Sequence, residues 1–248
     1  MSAVKPAVLA GLNVAVLAGG LGTRLRGVLD DRPKILAPVA GRAFLDHLLD
    51  AFALAGVERV LLCLGHMADS VLSHLKVCKP ALSVDCIVEP HPLGTGGALR
   101  YARSRLRGDR LLVVNGDTWL GFDLPRLAAS FDPQVMAGTL VYVEVDDAGR
   151  YGRLDINHEE RITAFLEKDA THHGGGMVNG GVYLLSDQLL DQLSAGTAIS
   201  LERDFLEKLP PRTLHAFRAS GPFIDIGTPE SLAIAGSVVR QAMFGRAV

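Results

Sequence analysis

Short apolar runs alternate with stretches of helical periodicity through the first half of the chain. The runs at 13–18, 59–64, 83–89 and 110–115 are rich in valine and leucine, the pattern of strands covered on both faces. Residues 43–55, 67–77 and 96–107 space their apolar side chains as helices do, the last opening on glycines. Such alternation implies crossover connections and a mostly parallel sheet with helices on both faces. Loops at the carboxyl ends of these strands are the expected place for a ligand.

The pattern changes in the second half. Spans 135–145, 152–156, 162–167 and 177–185 read as strands joined by turns, partly antiparallel. Helices follow at 187–193 and 201–208, the second with Ser200 placed as its cap. A last strand at 222–226 runs through Gly227-Thr228-Pro229 into a terminal helix, where Pro229 suits the first turn. No internal repeat or low-complexity linker interrupts the chain. The expectation is one α/β domain over 1–248, with a mixed, mostly parallel central sheet flanked by helices and halves meeting near 132.

Composition narrows the class. The 248 residues are 48% hydrophobic and 21% charged, as in ordinary globular proteins. A formal net charge of −2 gives no bulk attraction to nucleic acid or anionic membrane. Cys63, Cys78 and Cys86 are odd in number and form no Cys-x-x-Cys pair, which argues against a disulfide framework or structural zinc and for a reducing compartment. The apolar residues 1–16 run straight into a glycine loop with no separate cleavage region, and Gly19, Gly20 and Arg24 interrupt the best bilayer candidate. A cytoplasmic location is expected.

Candidate chemistry concentrates where the first strand ends. Residues 18–34 hold Gly19, Gly20, Gly22, Thr23 and Arg24 and close on Pro33-Lys34. Glycines let backbone N–H groups approach phosphate oxygens, and fixed cations neutralise them. The loop is not a Walker loop, because no glycine precedes a Lys-Ser/Thr pair. It is not a dinucleotide fingerprint either, since Leu25 stands where the third glycine belongs. The plain alternative, a tight strand–helix turn, leaves Thr23, Arg24 and Lys34 unexplained.

Gly-Gly-x-Gly-Thr-Arg-Leu followed by Pro-Lys resembles the sugar-1-phosphate nucleotidyltransferase family, matched here at Gly19, Gly20, Gly22, Thr23, Arg24, Leu25, Pro33 and Lys34. Ile35 follows Lys34 where the family usually has proline. Later segments match in order over nearly the whole chain, and the motif set looks most like the D-glycero-α-D-manno-heptose 1-phosphate guanylyltransferase branch. The resemblance implies the Rossmann-like sheet of nucleotide-diphospho-sugar transferases, with a nucleotide-binding half before residue 132 and a sugar-binding half after it. It also implies a nucleotide site at Leu17, Ala18, the loop glycines, Thr23 and Arg24, continued by Glu89, Gly94, Thr95, Gly96 and Gly116.

Asp117 and Asp225 correspond to the family's paired aspartates for Mg²⁺, an ion that takes oxygen ligands and few carboxylates. Tyr151, Gly152, Glu167, Lys168, Asn179 and Gly180 correspond to its sugar-phosphate elements, and Trp119 is a further candidate beside Asp117 that reads equally well as core. The implied reaction is attack of a sugar 1-phosphate on the α-phosphorus of GTP, giving GDP-heptose and pyrophosphate for surface polysaccharide synthesis. Arg24, Lys34 and Asp117 are the expected catalytic residues. The alternatives are a mannose-1-phosphate guanylyltransferase, an N-acetylmuramate- or other hexose-1-phosphate uridylyltransferase, and a non-catalytic nucleotide-sugar sensor. Expected partners are GTP or another nucleoside triphosphate and a sugar 1-phosphate, without nucleic acid or membrane; homodimerisation stays open.

Overall fold

Alternate residues of the first strand serve different cores: Val14 and Val16 bury on one face of the sheet, Ala15 on the other. This strand, β1 (Asn13–Ala18), opens the computed structural model. The structure describes residues 9, 11–25, 27–29, 31–106, 108–166, 171, 174–196 and 198–244, with Thr23, Met243 and Phe244 described by their backbone alone. A small hairpin, β2 (Pro38–Val39) and β3 (Arg42–Ala43), leads into α1 (Phe44–Ala55). Then come β4 (Arg59–Leu64), α2 (Ala68–Cys78), β5 (Ser83–Val88), α3 (Gly94–Ala102) and β6 (Arg110–Asn115). The neighbours β6-β1-β4-β5 are all parallel, so their carboxyl ends share one edge.

The second half departs more from the sequence pattern. Like the β2–β3 hairpin, β7 (Thr118–Leu120) and α4 (Leu124–Ala129), which lead into it, carry no expectation, nor does a strand near the C-terminus. Next are β8 (Gly138–Val145), β9 (Arg153–Ile156), β10 (Ile162–Leu166) and β11 (Gly176–Ser186). Helix α5 (Asp187–Leu190) stops three residues short of the expected end, and the 201–208 span is a π-type turn at Leu201–Phe205 followed by a 3₁₀ turn. The unexpected strand β12 (Leu214–Arg218) precedes β13 (Phe223–Asp225) and α6 (Pro229–Phe244).

Strand β11 forks the mixed sheet. One edge pairs antiparallel with β6 and, further along, β9; the other pairs with β8, which carries β12. A register shift between Asn179 and Val182 bulges β11 where it passes the carboxyl edge, and bulges re-aim side chains. Helices α1, α2, α4 and α6 cover one face, while α3 and α5 cover the other. Every fully buried leucine stabilises this arrangement by about 1.5–3 kcal/mol relative to exposure. The three cysteines are free.

Candidate active site

Two aspartates far apart in sequence meet because β7 and β13 pair. Thr118 lies opposite Asp225 in this two-stranded ladder, and the Ile226 amide donates to the Asp117 carbonyl at 2.9 Å. Lys34 reaches between them: its Nζ donates to Asp117 Oδ2 at 2.7 Å and stands 3.6 Å from Asp225 Oδ1. That Asp225 oxygen is buried and accepts no hydrogen bond. Gly227 closes the cluster from below, where a Cβ would sit 2.5 Å from Asp225 Oδ1 and 3.1 Å from Lys34 Nζ. The lysine ammonium thus occupies a position where two carboxylates favour a cation.

Two cavities adjoin this cluster. The first, about 350 Å³, brings together Leu17, Ala18, Gly19, Gly20, Gly22, Glu89, Gly94, Thr95 and Gly116, residues that the resemblance groups as a nucleotide site. The second, about 360 Å³, takes in Tyr151, Gly152, Asn179 and Asp225. Arg24, Asn115 and Asp117 line both. Arg24 is exposed, and the Asn115 side-chain oxygen is buried without a partner.

Local geometry explains the first cavity. Gly94 has φ +71°, and a Cβ there would meet the Ile199 carbonyl oxygen at 2.5 Å, so glycine lets the start of α3 press against this segment. The Gly96 amide donates to the same oxygen at 2.9 Å, so Gly96 serves this anchorage and is not part of the cavity wall. Glu89 accepts from the Leu93 amide at 3.1 Å, and burial raises its carboxyl above the ordinary range. Cys63 also lines this cavity; burial first, then Glu89, pushes its thiol up to about 12, leaving it protonated.

The second cavity differs from the sequence expectation in several places. Trp119 is buried in the core with Ile224 opposite it and lines neither cavity. Gly180 points the other way, toward Leu120 and the Val141 carbonyl, and Gly181 lines the cavity instead. Glu167 and Lys168 lie outside the described residues, and of Thr23 only the backbone is described. Tyr151 packs on Phe223 with ring centroids 5.5 Å apart, and burial raises its phenol.

Tyr183, Glu202, Arg153 and Arg203 line this cavity without having been singled out in the sequence. Tyr183 sits in an ordinary apolar strand and Glu202 in the first turn of a capped segment, so neither carries a local signal. Ser200 is the cap expected there, its Oγ accepting from the Arg203 amide at 3.2 Å.

A carboxylate pair holding a lysine ammonium, between a glycine-lined cavity and a polar one at the carboxyl edge of a parallel sheet, is an arrangement suited to bringing two anionic ligands together. The nucleotidyl transferase family model matches residues 13–241, and the chain belongs to that family. A D-glycero-α-D-manno-heptose 1-phosphate guanylyltransferase of Aneurinibacillus thermoaerophilus is 31% identical over 220 residues, 88% of this chain and 94% of that protein. A mannose-1-phosphate guanylyltransferase of Mycobacterium tuberculosis is 32% identical over 223 residues, and the match spans 88% of this chain but 62% of that protein. The crystal structure of HddC from Yersinia pseudotuberculosis complexed with GMP-PN superposes with a TM-score of 0.81 at 36% identity, covering 91% of this chain and 98% of that one.

Proposed function

We propose that this chain transfers GMP from GTP to a sugar 1-phosphate, with D-glycero-α-D-manno-heptose 1-phosphate as acceptor, giving GDP-heptose and pyrophosphate in the cytoplasm. The observation that carries this reading is the shared lip: Arg24, Asn115 and Asp117 border both cavities, so ligands filling them meet beside Lys34. In this reading residues up to about 132 hold the nucleotide and the remainder hold most of the sugar pocket. No helix among the described residues is long and apolar enough to cross a membrane.

The acceptor phosphate oxygen attacks the α-phosphorus in line, and the bond to the bridging oxygen breaks to release pyrophosphate. A phosphate nucleophile is already ionised near neutral pH, so alignment and charge neutralisation are the protein's task. Arg24 neutralises the triphosphate, and Lys34 meets the charge that builds at the α-phosphate. Arg153 and Arg203 line the second cavity with Arg24 and meet the sugar phosphate there, a role shared with Lys168, which lies outside the described residues. Asp117 and Asp225 fit Mg²⁺, since the donor set is carboxylate oxygen and one buried oxygen of Asp225 lacks a hydrogen bond. That ion, when bound, supplies further neutralisation of the phosphates.

Guanine is favoured by Glu89. An ionised carboxylate only accepts hydrogen bonds, and the guanine edge offers N1–H and N2–H donors side by side. Uracil presents a single N3–H flanked by two carbonyl oxygens, which a carboxylate repels. Heptose is favoured by the relatives of matching length, and mannose is the second reading because mannose-1-phosphate guanylyltransferases match with similar identity. Pyrophosphate release measured with four nucleoside triphosphates against several sugar 1-phosphates in Mg²⁺ tests all of this. GTP with the heptose phosphate is expected to be fastest; comparable rates with UTP defeat the guanylyl assignment, and no release from any pair defeats the enzyme reading.

A further inference from the structure

Glu202 is where two chains of hydrogen bonds end. From the nucleotide cavity, the Leu201 amide donates to Thr95 Oγ1 at 2.7 Å, and that hydroxyl donates to Glu202 Oε2 at 3.0 Å. Along the sugar cavity, Asn179 Nδ2 donates to the Tyr183 hydroxyl at 2.8 Å, which donates to Glu202 Oε1 at 3.0 Å. Asn179 in turn accepts from the Gly181 amide at 2.9 Å, inside the β11 bulge. Ser200 Oγ adds a third hydroxyl donor to Oε2 at 3.1 Å. Thr95 lines the first cavity, whereas Asn179, Tyr183 and Glu202 line the second.

The chemistry at the junction requires a carboxylate. Three hydroxyl donors converge on two oxygens, and each of those protons has its place because Thr95 and Tyr183 already accept from another N–H. An amide at this position offers one acceptor oxygen and turns an NH₂ toward a hydroxyl whose proton then has no partner. Tyr183 is fully buried, and burial together with Glu202 holds its phenol well above the ordinary range, so it remains a donor.

We infer that Glu202 is a positioning residue that couples the two pockets, holding the start of α3 and the β11 bulge in register so that filling one pocket pre-orders the other. This rests on the two-substrate reading above. A ligand that orders Thr95 fixes Glu202, and through Tyr183 it fixes Asn179; the ordering cost is then met once for both ligands. Glu202 touches neither reacting atom in this scheme. Its effect is read in the coupling between ligands.

The test measures binding of a hydrolysis-resistant GTP analogue in Mg²⁺, with and without saturating sugar 1-phosphate, for the parent, Tyr183→Phe, Glu202→Gln and Thr95→Ser. In the parent the sugar phosphate is expected to tighten the analogue by about fivefold or more. Tyr183→Phe, which deletes one oxygen, brings that factor to near one while changing the affinity for the analogue alone by less than about threefold. Glu202→Gln does the same, and Thr95→Ser, which keeps the hydroxyl, retains the parent factor. A tether that is merely structural shifts melting temperature or both affinities and leaves the coupling factor intact; that result overturns the inference, as does a parent without coupling. If Glu202→Gln fails to fold, Tyr183→Phe decides. Pyrophosphate release by a parent whose coupling survives Tyr183→Phe defeats this inference alone, whereas a parent with no release from any substrate pair defeats the functional reading and this one with it.

Discussion

Lys34 faces two duties at one atom. Its ammonium neutralises Asp117 at 2.7 Å and stands near Asp225 at 3.6 Å, while the proposed transfer asks it to meet phosphate charge. Lys34→Met is expected to lower kcat by about 100-fold or more, the scale of losing a positioned charge stabiliser. It also leaves two carboxylates facing each other, so its melting temperature without metal should fall and Mg²⁺ should raise it more than in the parent. Parent-like turnover in this variant would sink the assignment. Glu89 gives a second prediction at this scale. Burial raises its pKa, so its acceptor oxygens are lost on acidification at a higher pH than for an ordinary glutamate. The KM for GTP should therefore rise as pH falls, and in Glu89→Gln this dependence should shrink to that of the nucleotide phosphates, over a baseline KM about tenfold higher. Steady-state kinetics across pH separate the two variants.

At the scale of elements, the short pair β7 and β13 decides more than its size suggests. It brings Asp225 beside Asp117 and turns Trp119 into the core, the second of the two places, sugar pocket or core, that the sequence leaves open for it. Trp119→Phe should accordingly leave the KM for the sugar 1-phosphate unchanged, whereas Trp119→Ala should cost about 3–5 kcal/mol in urea denaturation. A marked rise in that KM for Trp119→Phe would return Trp119 to the pocket. The long strands and helices of the first half were legible because each carries its own apolar period; β1, β4 and β6 begin and end where the pattern puts them. Strands β7 and β12 are no shorter than β13 and β10, which the sequence shows, but their apolar residues do not stand out from the flanking loops, and each is fixed by a partner strand far along the chain, β13 for β7 and β8 for β12. Helix α4 was missed although its signal was present: Asp123 accepts from the Arg126 amide, with a proline in the first turn.

Across the whole molecule, stability toward acid has an identifiable contributor on β12. Burial, then Arg161, depresses the pKa of His215 below 6.5, and its Nε2 is buried without a partner. Between that lowered value and 6.5 the unfolded chain binds the proton and the folded one does not, so stability falls as pH falls through this window. Replacing His215 with glutamine should flatten the urea midpoint between neutrality and mild acid; an unchanged slope would show that other groups set it. The same distinction between local and long-range information divides what this protein's sequence decides alone from what folding adds. The apolar runs settle the parallel strands, and the glycines with Arg24 and Lys34 mark the loop that lines the first cavity, since spacing along the chain is all that either needs. The placement of Lys34 between Asp117 and Asp225, the burial of Trp119, and the convergence of Thr95 and Tyr183 on Glu202 join residues more than eighty positions apart in most cases. Only tertiary packing brings such side chains within hydrogen-bond distance, because no local period records which loop will lie beside which.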